Sequence, residues 1–149
     1  MMKKKSSNYS QSEMQNIDHY MKLADFYISR FDNRREYEWK VTLGLWGAIL
    51  GSIVVFGDKL KNIPILILSI IAVLVLFGHF LWLHFNWRAN RIDKDSAFKA
   101  SRKVAKLLDT KLPKWKPKKV LWMAPAMAFQ LYITFVLLIL VIVYAIFTN

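Results

Sequence analysis

Hydrophobic residues lie in three long blocks along the chain, and polar residues fill the segments between them. Residues 63–85 contain no Asp, Glu, Lys or Arg. An α-helix of this length spans a bilayer core of ~30 Å, because each residue adds about 1.5 Å. Residues 41–57 form a second block before it, and residues 120–147 form a third that is apolar almost throughout. The pattern predicts three transmembrane helices.

A helical repeat marks residues 10–40. Ser10 and Glu13 have the spacing of a capping box, in which a hydroxyl and a carboxylate each accept a hydrogen bond from the other residue's backbone amide. Apolar residues behind it recur at alternating steps of three and four, which predicts one packed face of a cytoplasmic amphipathic helix. The six residues of this face are Met14, Ile17, Met21, Ala24, Ile28 and Phe31. This face could pack on a second cytoplasmic helix or on the membrane surface. It could also form a coiled coil between copies, for which a repeat of about three heptads is the lower limit.

The junction between this helix and the first span is rich in charge. No Gly or Pro occurs between Tyr9 and Gly44, so the helix could continue into the span, and residues 32–33 are the expected break. Basic and acidic residues alternate here, which predicts a solvated face with weak ion pairs. They are Arg30, Asp32, Arg34, Arg35, Glu36 and Glu38.

Residues 86–119 form the second polar segment. They predict a basic amphipathic helix over 88–109, followed by a linker that Pro113 and Pro117 keep from being helical. The basic and aromatic residues of the linker are Lys111, Lys114, Trp115, Lys116, Lys118 and Lys119. A cluster of this kind beside a membrane attracts anionic lipid headgroups. Nucleic acid is not an expected partner, because no RNA- or DNA-binding module is present.

Composition and charge placement fix the predicted class and orientation. Hydrophobic residues make up 55% of the chain and aromatic residues 15%, which excludes a large soluble core. Lys and Arg number eight in residues 1–40, two in residues 58–62 and twelve in residues 86–119. The positive-inside rule therefore places the N-terminus and the 86–119 segment in the cytoplasm and the C-terminus outside. Residues 1–9 lack the apolar run of a signal peptide and are expected to be a disordered basic N-terminus.

These features together predict an all-α integral membrane helical bundle with three transmembrane helices and two cytoplasmic amphipathic helices. The expected location is a cell inner membrane, crossed several times. The first span also carries a pattern of small residues, in which Gly47 and Gly51 form a GxxxG pair and Gly44 lies near the same face. Such a face lets another helix backbone approach closely in lipid. The sequence leaves open whether that helix belongs to the same chain or to another copy in a homo-oligomer.

Four polar residues inside the spans are candidates for a pore or for interhelical hydrogen bonds. His79 continues a stripe that includes Ser69 on the second span, and Gln130 and Thr134 share one face of the third. Ionisable residues inside a membrane are functional hypotheses by default. The alternatives are a proton-handling or pore-lining role, and a neutral imidazole bonded to Gln130 or to a backbone carbonyl.

No pattern in the sequence points to catalysis. There are no cysteines, no Asp or Glu in any span, and no metalloprotease, Walker or nucleophile-elbow motif. We therefore expect no catalytic residues, no metal and no cofactor. The missing carboxylates also weigh against a transporter that uses His79 to move protons or small cations.

The order of elements from Ser10 to Asp109 resembles a known architecture. A cytoplasmic helix, a Gly-rich span, a tight outer hairpin, a second span and a basic cytoplasmic helix resemble the two-transmembrane effector domains, including the SLATT-like group, of bacterial anti-phage systems. The run FDNRREYEWK, residues 31–40, is similar to their helix-to-membrane junction. The resemblance implies an oligomer that permeabilises or depolarises the inner membrane when a signalling partner or nucleotide triggers it. The alternative is a non-catalytic anchor or accessory subunit that presents its basic cytoplasmic surface to a partner protein.

Overall fold

The computed structural model describes residues 10–60, 62–110 and 125–147. Within them the chain forms three α-helices, α1 (Gln11–Leu60), α2 (Ile65–Leu107) and α3 (Pro125–Phe147), and no strand. The all-α prediction is confirmed for these residues. Each helix is long and apolar enough to cross a membrane, as judged by length and composition.

The prediction of two separate amphipathic helices is wrong. Residues 11–40 belong to the same helix as the first span, and residues 88–107 belong to the same helix as the second. Asp32 and Asn33 are exposed and helical, so the expected break does not occur. The reason is that no Gly or Pro interrupts either junction, and exposed polar residues do not by themselves end a helix.

The ends of α1 and α2 follow local chemistry. The predicted capping box is confirmed, because the Ser10 amide donates to Glu13 Oε2 at 2.8 Å and the Glu13 amide donates to Ser10 Oγ at 3.3 Å. Pro64 lies one residue before α2, where its carbonyl accepts from the amides of the first turn. At the other end of α2, Asp109 has a φ of 50° and the Thr110 amide donates to the Ala105 carbonyl at 2.9 Å. This is a Schellman ending with aspartate at the position that favours glycine.

The chain comprises two compact units. Unit 1 contains Met1–Asn33 and Arg91–Lys118, of which residues 10–33 and 91–110 are described. Its two helical segments run antiparallel, since Lys103 Nζ contacts Tyr20 Oη at 3.2 Å while Lys94 Nζ lies 4.3 Å from the Phe31 ring centroid.

The predicted apolar face of α1 is only partly packed within unit 1. Ala24 is buried, and Ile17 and Phe31 are half-buried. The other three residues, Met14, Met21 and Ile28, are exposed by about half of their surface.

Unit 2 contains Arg34–Asn90 and Lys119–Asn149, of which residues 34–60, 62–90 and 125–147 are described. Its surface carries large apolar side chains such as Val54, Leu66 and Val73. Its interior contains an apolar cluster of Leu60, Leu68 and Ala145 and, elsewhere, several buried polar residues. An apolar exterior around a partly polar interior is the distribution expected where lipid is the solvent.

Two predicted segments lie outside the described residues. These are the basic N-terminus, residues 1–9, and residues 111–124, which contain the basic linker and the beginning of the predicted third span.

Candidate functional site

Five buried polar side chains from three helices meet in unit 2. Helix α1 contributes Glu38 and Thr42, α2 contributes His79, and α3 contributes Gln130 and Thr134; all five are less than a twentieth exposed. Glu38 and Thr42 are four residues apart, as are Gln130 and Thr134, so each pair lies on one face of its helix. We call these five residues the polar network.

Gln130 joins the two ends of the polar network. Its Nε2 donates to Glu38 Oε1 at 3.3 Å, and its Oε1 accepts from Thr42 Oγ1 at 3.3 Å. The His79 ring then bridges the two threonines, with Nε2 at 3.3 Å from Thr42 Oγ1 and Nδ1 at 2.9 Å from Thr134 Oγ1. Each helix is thereby hydrogen-bonded to both of the others.

The bonding pattern assigns the proton on His79. Thr42 gives its hydroxyl proton to Gln130, so the ring nitrogen that faces Thr42, Nε2, has to donate. Thr134 Oγ1 accepts from Trp46 Nε1 at 2.8 Å and has two acceptors for its one proton, the Gln130 carbonyl and Nδ1 of a neutral His79, each at 2.9 Å. A neutral His79 can therefore accept the Thr134 proton at Nδ1, whereas a charged ring would donate there and leave that proton to the Gln130 carbonyl.

The Glu38 carboxylate is held by three donors. Besides Gln130, Arg35 Nη1 lies 3.5 Å from Oε1, and Asn90 Nδ2 donates to Oε2 at 3.4 Å. Glu38 is 3% exposed, so the prediction that it belongs to a solvated face is wrong. Glu36 fits that prediction, because its exposed carboxylate pairs with Lys40 at 2.6 Å, and this contact lowers the pKa of Glu36.

Three of the four polar candidates from the sequence come together. His79, Gln130 and Thr134 belong to the polar network, and His79 is linked to Gln130 through Thr42 rather than by the direct bond that was one of the alternatives. Ser69 is half-buried and makes no hydrogen bond to the network. It lies almost three turns from His79 along α2, which is too far for a side chain to reach.

Glu38 and Thr42 were missed by the sequence reasoning. A signal for Glu38 was present, because it continues the seven-residue spacing of Ile17, Ala24 and Phe31 along the packed side of α1. Thr42 is one turn further along the same side, and nothing in its own identity distinguishes it from an ordinary span residue.

Among the described residues, the first-span glycines do not pack on another helix of the same chain. A Cβ atom built on Gly44, Gly47 or Gly51 would meet nothing within 4 Å. The close approach occurs instead at Gly57, where a Cβ atom would lie 2.7 Å from Tyr144 Oη. No described residue of the same chain therefore covers the GxxxG face.

No group of three or more His, Asp or Glu side chains able to hold a metal occurs among the described residues. The polar network contains hydrogen-bonding groups and one carboxylate–imidazole combination, separated by Gln130 and Thr42. This arrangement is suited to holding three helices together and to changing its hydrogen bonds on protonation of His79. The chain matches no protein-family model, no curated protein and no solved structure.

Proposed function

We propose that this protein is a multi-pass membrane effector whose copies assemble in the bilayer and permeabilise or depolarise the membrane when triggered from the cytoplasm. The proposed setting is anti-phage defence at a bacterial inner membrane, and it rests on the resemblance in element order. The N-terminus and residues 86–119 are cytoplasmic and the C-terminus is outside, as the distribution of Lys and Arg favours.

The observation that carries the proposal is the open glycine face of the first span. Gly44 and Gly47 are exposed, and a side chain added at either would meet no neighbour. In lipid, helices associate by close backbone contact and interhelical hydrogen bonds, because burying apolar surface gains little there. A small-residue face left open by its own chain is thus available to another copy.

The polar interior of unit 2 supports the same conclusion by a different route. Its hydrogen bonds link the three helices to one another, so water or ions could pass between the helices of one unit only if these bonds broke. Ions or water would therefore cross between copies. This is the reason that permeabilisation and self-association belong to one proposal.

The remaining expectations become parts of the proposal. The effector is not an enzyme and uses no cofactor; a cytoplasmic signalling partner or nucleotide is the trigger. The basic linker, residues 111–119, contacts anionic headgroups rather than nucleic acid. The linker lies outside the described residues.

The test compares two glycine substitutions in spans. Gly47→Leu blocks the open face of the first span, and Gly78→Leu is its control, because Gly78 is also exposed with nothing within 4 Å of a Cβ atom. Both variants gain the same side chain at a glycine where a Cβ atom would meet no described residue within 4 Å. We expect Gly47→Leu to abolish dye leakage from vesicles and membrane depolarisation in cells, and Gly78→Leu to leave both unchanged.

Native mass spectrometry in mild detergent with retained lipid counts the copies per particle in the wild type and in each variant. Several copies in the wild type and Gly78→Leu, but a single copy in Gly47→Leu, would agree with the proposal. Equal leakage in the two variants at equal membrane insertion would contradict it.

The second candidate function is a membrane anchor or accessory subunit for a different protein. The polar network favours it, because its side chains are hydrogen-bonded to one another across the helices. An anchor that conducts no ions has no need to break these bonds. A monomeric wild type that is recovered with one stable partner protein, and that does not permeabilise vesicles, would decide for this alternative.

A further inference from the structure

The buried apolar residues in the seam between the helical segments of unit 1 are all alanines. They are Ala24, Ala97, Ala100 and Ala105. Ile17 and Phe31 of α1 are half-buried beside them, whereas Met14, Met21 and Ile28 lie outside the seam and are 57%, 51% and 48% exposed. They recur every seven residues, so they form one continuous stripe along α1. An apolar stripe beside an alanine seam indicates that a further helix packs there.

A row of acidic residues follows the stripe. Asp18, Asp25 and Asp32 each lie four residues after a member of the stripe, and all three are exposed. Residues four apart are neighbours on a helix surface, so the acidic row borders the apolar stripe along its full length. Asp18 pairs with Lys22 on its own helix at 2.8 Å, a weak exposed contact.

The outer surface of α2 in the same unit carries the opposite charge. Arg91, Lys99, Arg102 and Lys106 are exposed and lie on one side of the helix, where the half-buried Asp95 stands between Arg91 and Lys99. We call them the basic row. We propose that the basic row of a second copy packs on the apolar stripe and acidic row of the first; this proposal deepens the assembly proposed above and rests on it.

The contacts within unit 1 fix which charges would meet. Tyr20 is level with Lys103, and Phe31 is level with Lys94. Because the segments are antiparallel, Asp18 lies at the same height along the helix pair as Lys106, to within one residue. Asp25 lies at the height of Lys99 to the same precision. By the same count, Asp32 is level with Arg91 to within two residues.

These levels carry over to a second copy. Copies that share one orientation in a membrane are related by rotation about an axis along the membrane normal. In the proposed interface this axis is parallel to the helix pair, so the rotation preserves the level of every residue. The acidic row of one copy therefore meets the basic row of its neighbour with all three aspartates matched. Contact between two different faces of identical chains closes into a ring rather than a pair.

The alternative of two α1 helices meeting through their apolar stripes lacks this match. It would place both acidic rows at the edges of one contact, and like charges in contact disfavour an interface. Charge complementarity thus selects α2 of a second copy as the occupant. The methyl and methylene groups of the stripe then pack on the alkyl stems of the lysines and arginines.

Cysteine cross-linking in native membranes tests this interface, since the chain has no cysteine of its own. The double variant Asp25→Cys with Lys99→Cys is expected to give a ladder of dimers, trimers and larger species with a short bismaleimide. Each single-cysteine variant is expected to give none. The control pairs Lys99→Cys with Phe26→Cys, whose side chain is exposed but about 100° around α1 from Asp25.

Exchanging the charges of Asp25 and Lys99 gives a second test. Its readout is the yield of cross-linked species from the double variant Asp18→Cys with Lys106→Cys. Adding Asp25→Lys should lower this yield roughly fivefold, and adding Lys99→Asp as well should restore it. All of these positions are exposed, so the variants are expected to fold and insert.

The results separate the two proposals. Dimers from Asp25→Cys alone would overturn the interface in favour of contact between α1 helices. An absence of cross-links, with several copies counted by native mass spectrometry, would overturn the interface and leave assembly through the glycine face. A cross-linked ladder without any membrane permeabilisation would support the interface and contradict the proposed function.

Discussion

Gln130→Leu is the most informative perturbation of the polar network. Leucine has nearly the volume of glutamine, so the change removes hydrogen bonds without opening a large cavity. It breaks the bond to Glu38 and the bond from Thr42, both of 3.3 Å. Glu38 keeps Arg35 and Asn90 as partners but stays 3% exposed.

The expected loss follows from these two bonds. An interhelical hydrogen bond in a membrane contributes about 0.6 kcal/mol on average and up to about 1.7 kcal/mol. A buried group that loses a partner adds a cost of about 1–3 kcal/mol, reduced here because Glu38 retains two donors. We therefore expect Gln130→Leu to lower the free energy of unfolding by roughly 1–3 kcal/mol.

The assay is equilibrium unfolding in mixed micelles, followed by circular dichroism. Phe129→Leu serves as the control, because Phe129 lies next to Gln130 on α3 but is 54% exposed. A double-mutant cycle with Glu38→Leu, which removes the accepting oxygen, isolates the contact between the two side chains, and its coupling free energy should be about 1 kcal/mol. A Gln130→Leu variant as stable as Phe129→Leu would show that the network contributes no net stability.

Two further predictions concern the helix ends and the tight contact between spans. Asp109→Gly should stabilise the end of α2 by about 1 kcal/mol, because aspartate there has a φ of 50°; slower hydrogen exchange of the Thr110 amide would show it, and an unchanged rate would contradict it. Gly57→Leu should lower the free energy of unfolding by about 1–3 kcal/mol, because the new side chain overpacks against Tyr144. Gly57→Ala should lower it less. In a Tyr144→Phe background Gly57→Ala should be neutral, because the hydroxyl oxygen 2.7 Å from the new Cβ is then absent. Unfolding in mixed micelles measures both changes, and equal costs for Ala and Leu would count against the contact.

The helices were predictable because their signals are local. A run such as residues 63–85 must be apolar to cross lipid, and the box at Ser10 is complete within four residues. The continuity of α1 through Asp32 was less evident, because polarity suggests a junction whereas only backbone chemistry can end a helix.

The polar network was only partly predictable because it depends on which faces meet. His79 and Gln130 were noticeable as polar residues in apolar spans, but Thr42, which connects them, is unremarkable in sequence. Glu38 had the appearance of a surface charge among arginines, although its seven-residue spacing from Phe31 placed it on the packed side. Small residues likewise indicate close approach without naming the neighbour, so Gly57 was overlooked while the open Gly47 was noticed.

The polar network also limits how the proposed effector can open. Six side-chain hydrogen bonds link different helices around Glu38, Thr42, His79 and Thr134. At about 0.6 kcal/mol each, separating the helices would cost roughly 4 kcal/mol per copy. A trigger would meet that cost by binding the open form about a thousandfold more tightly than the closed form. Opening that leaves these bonds intact, by rearranging whole copies about their glycine faces, avoids the cost altogether. The energetics therefore favour a path that forms between rigid three-helix units rather than within one.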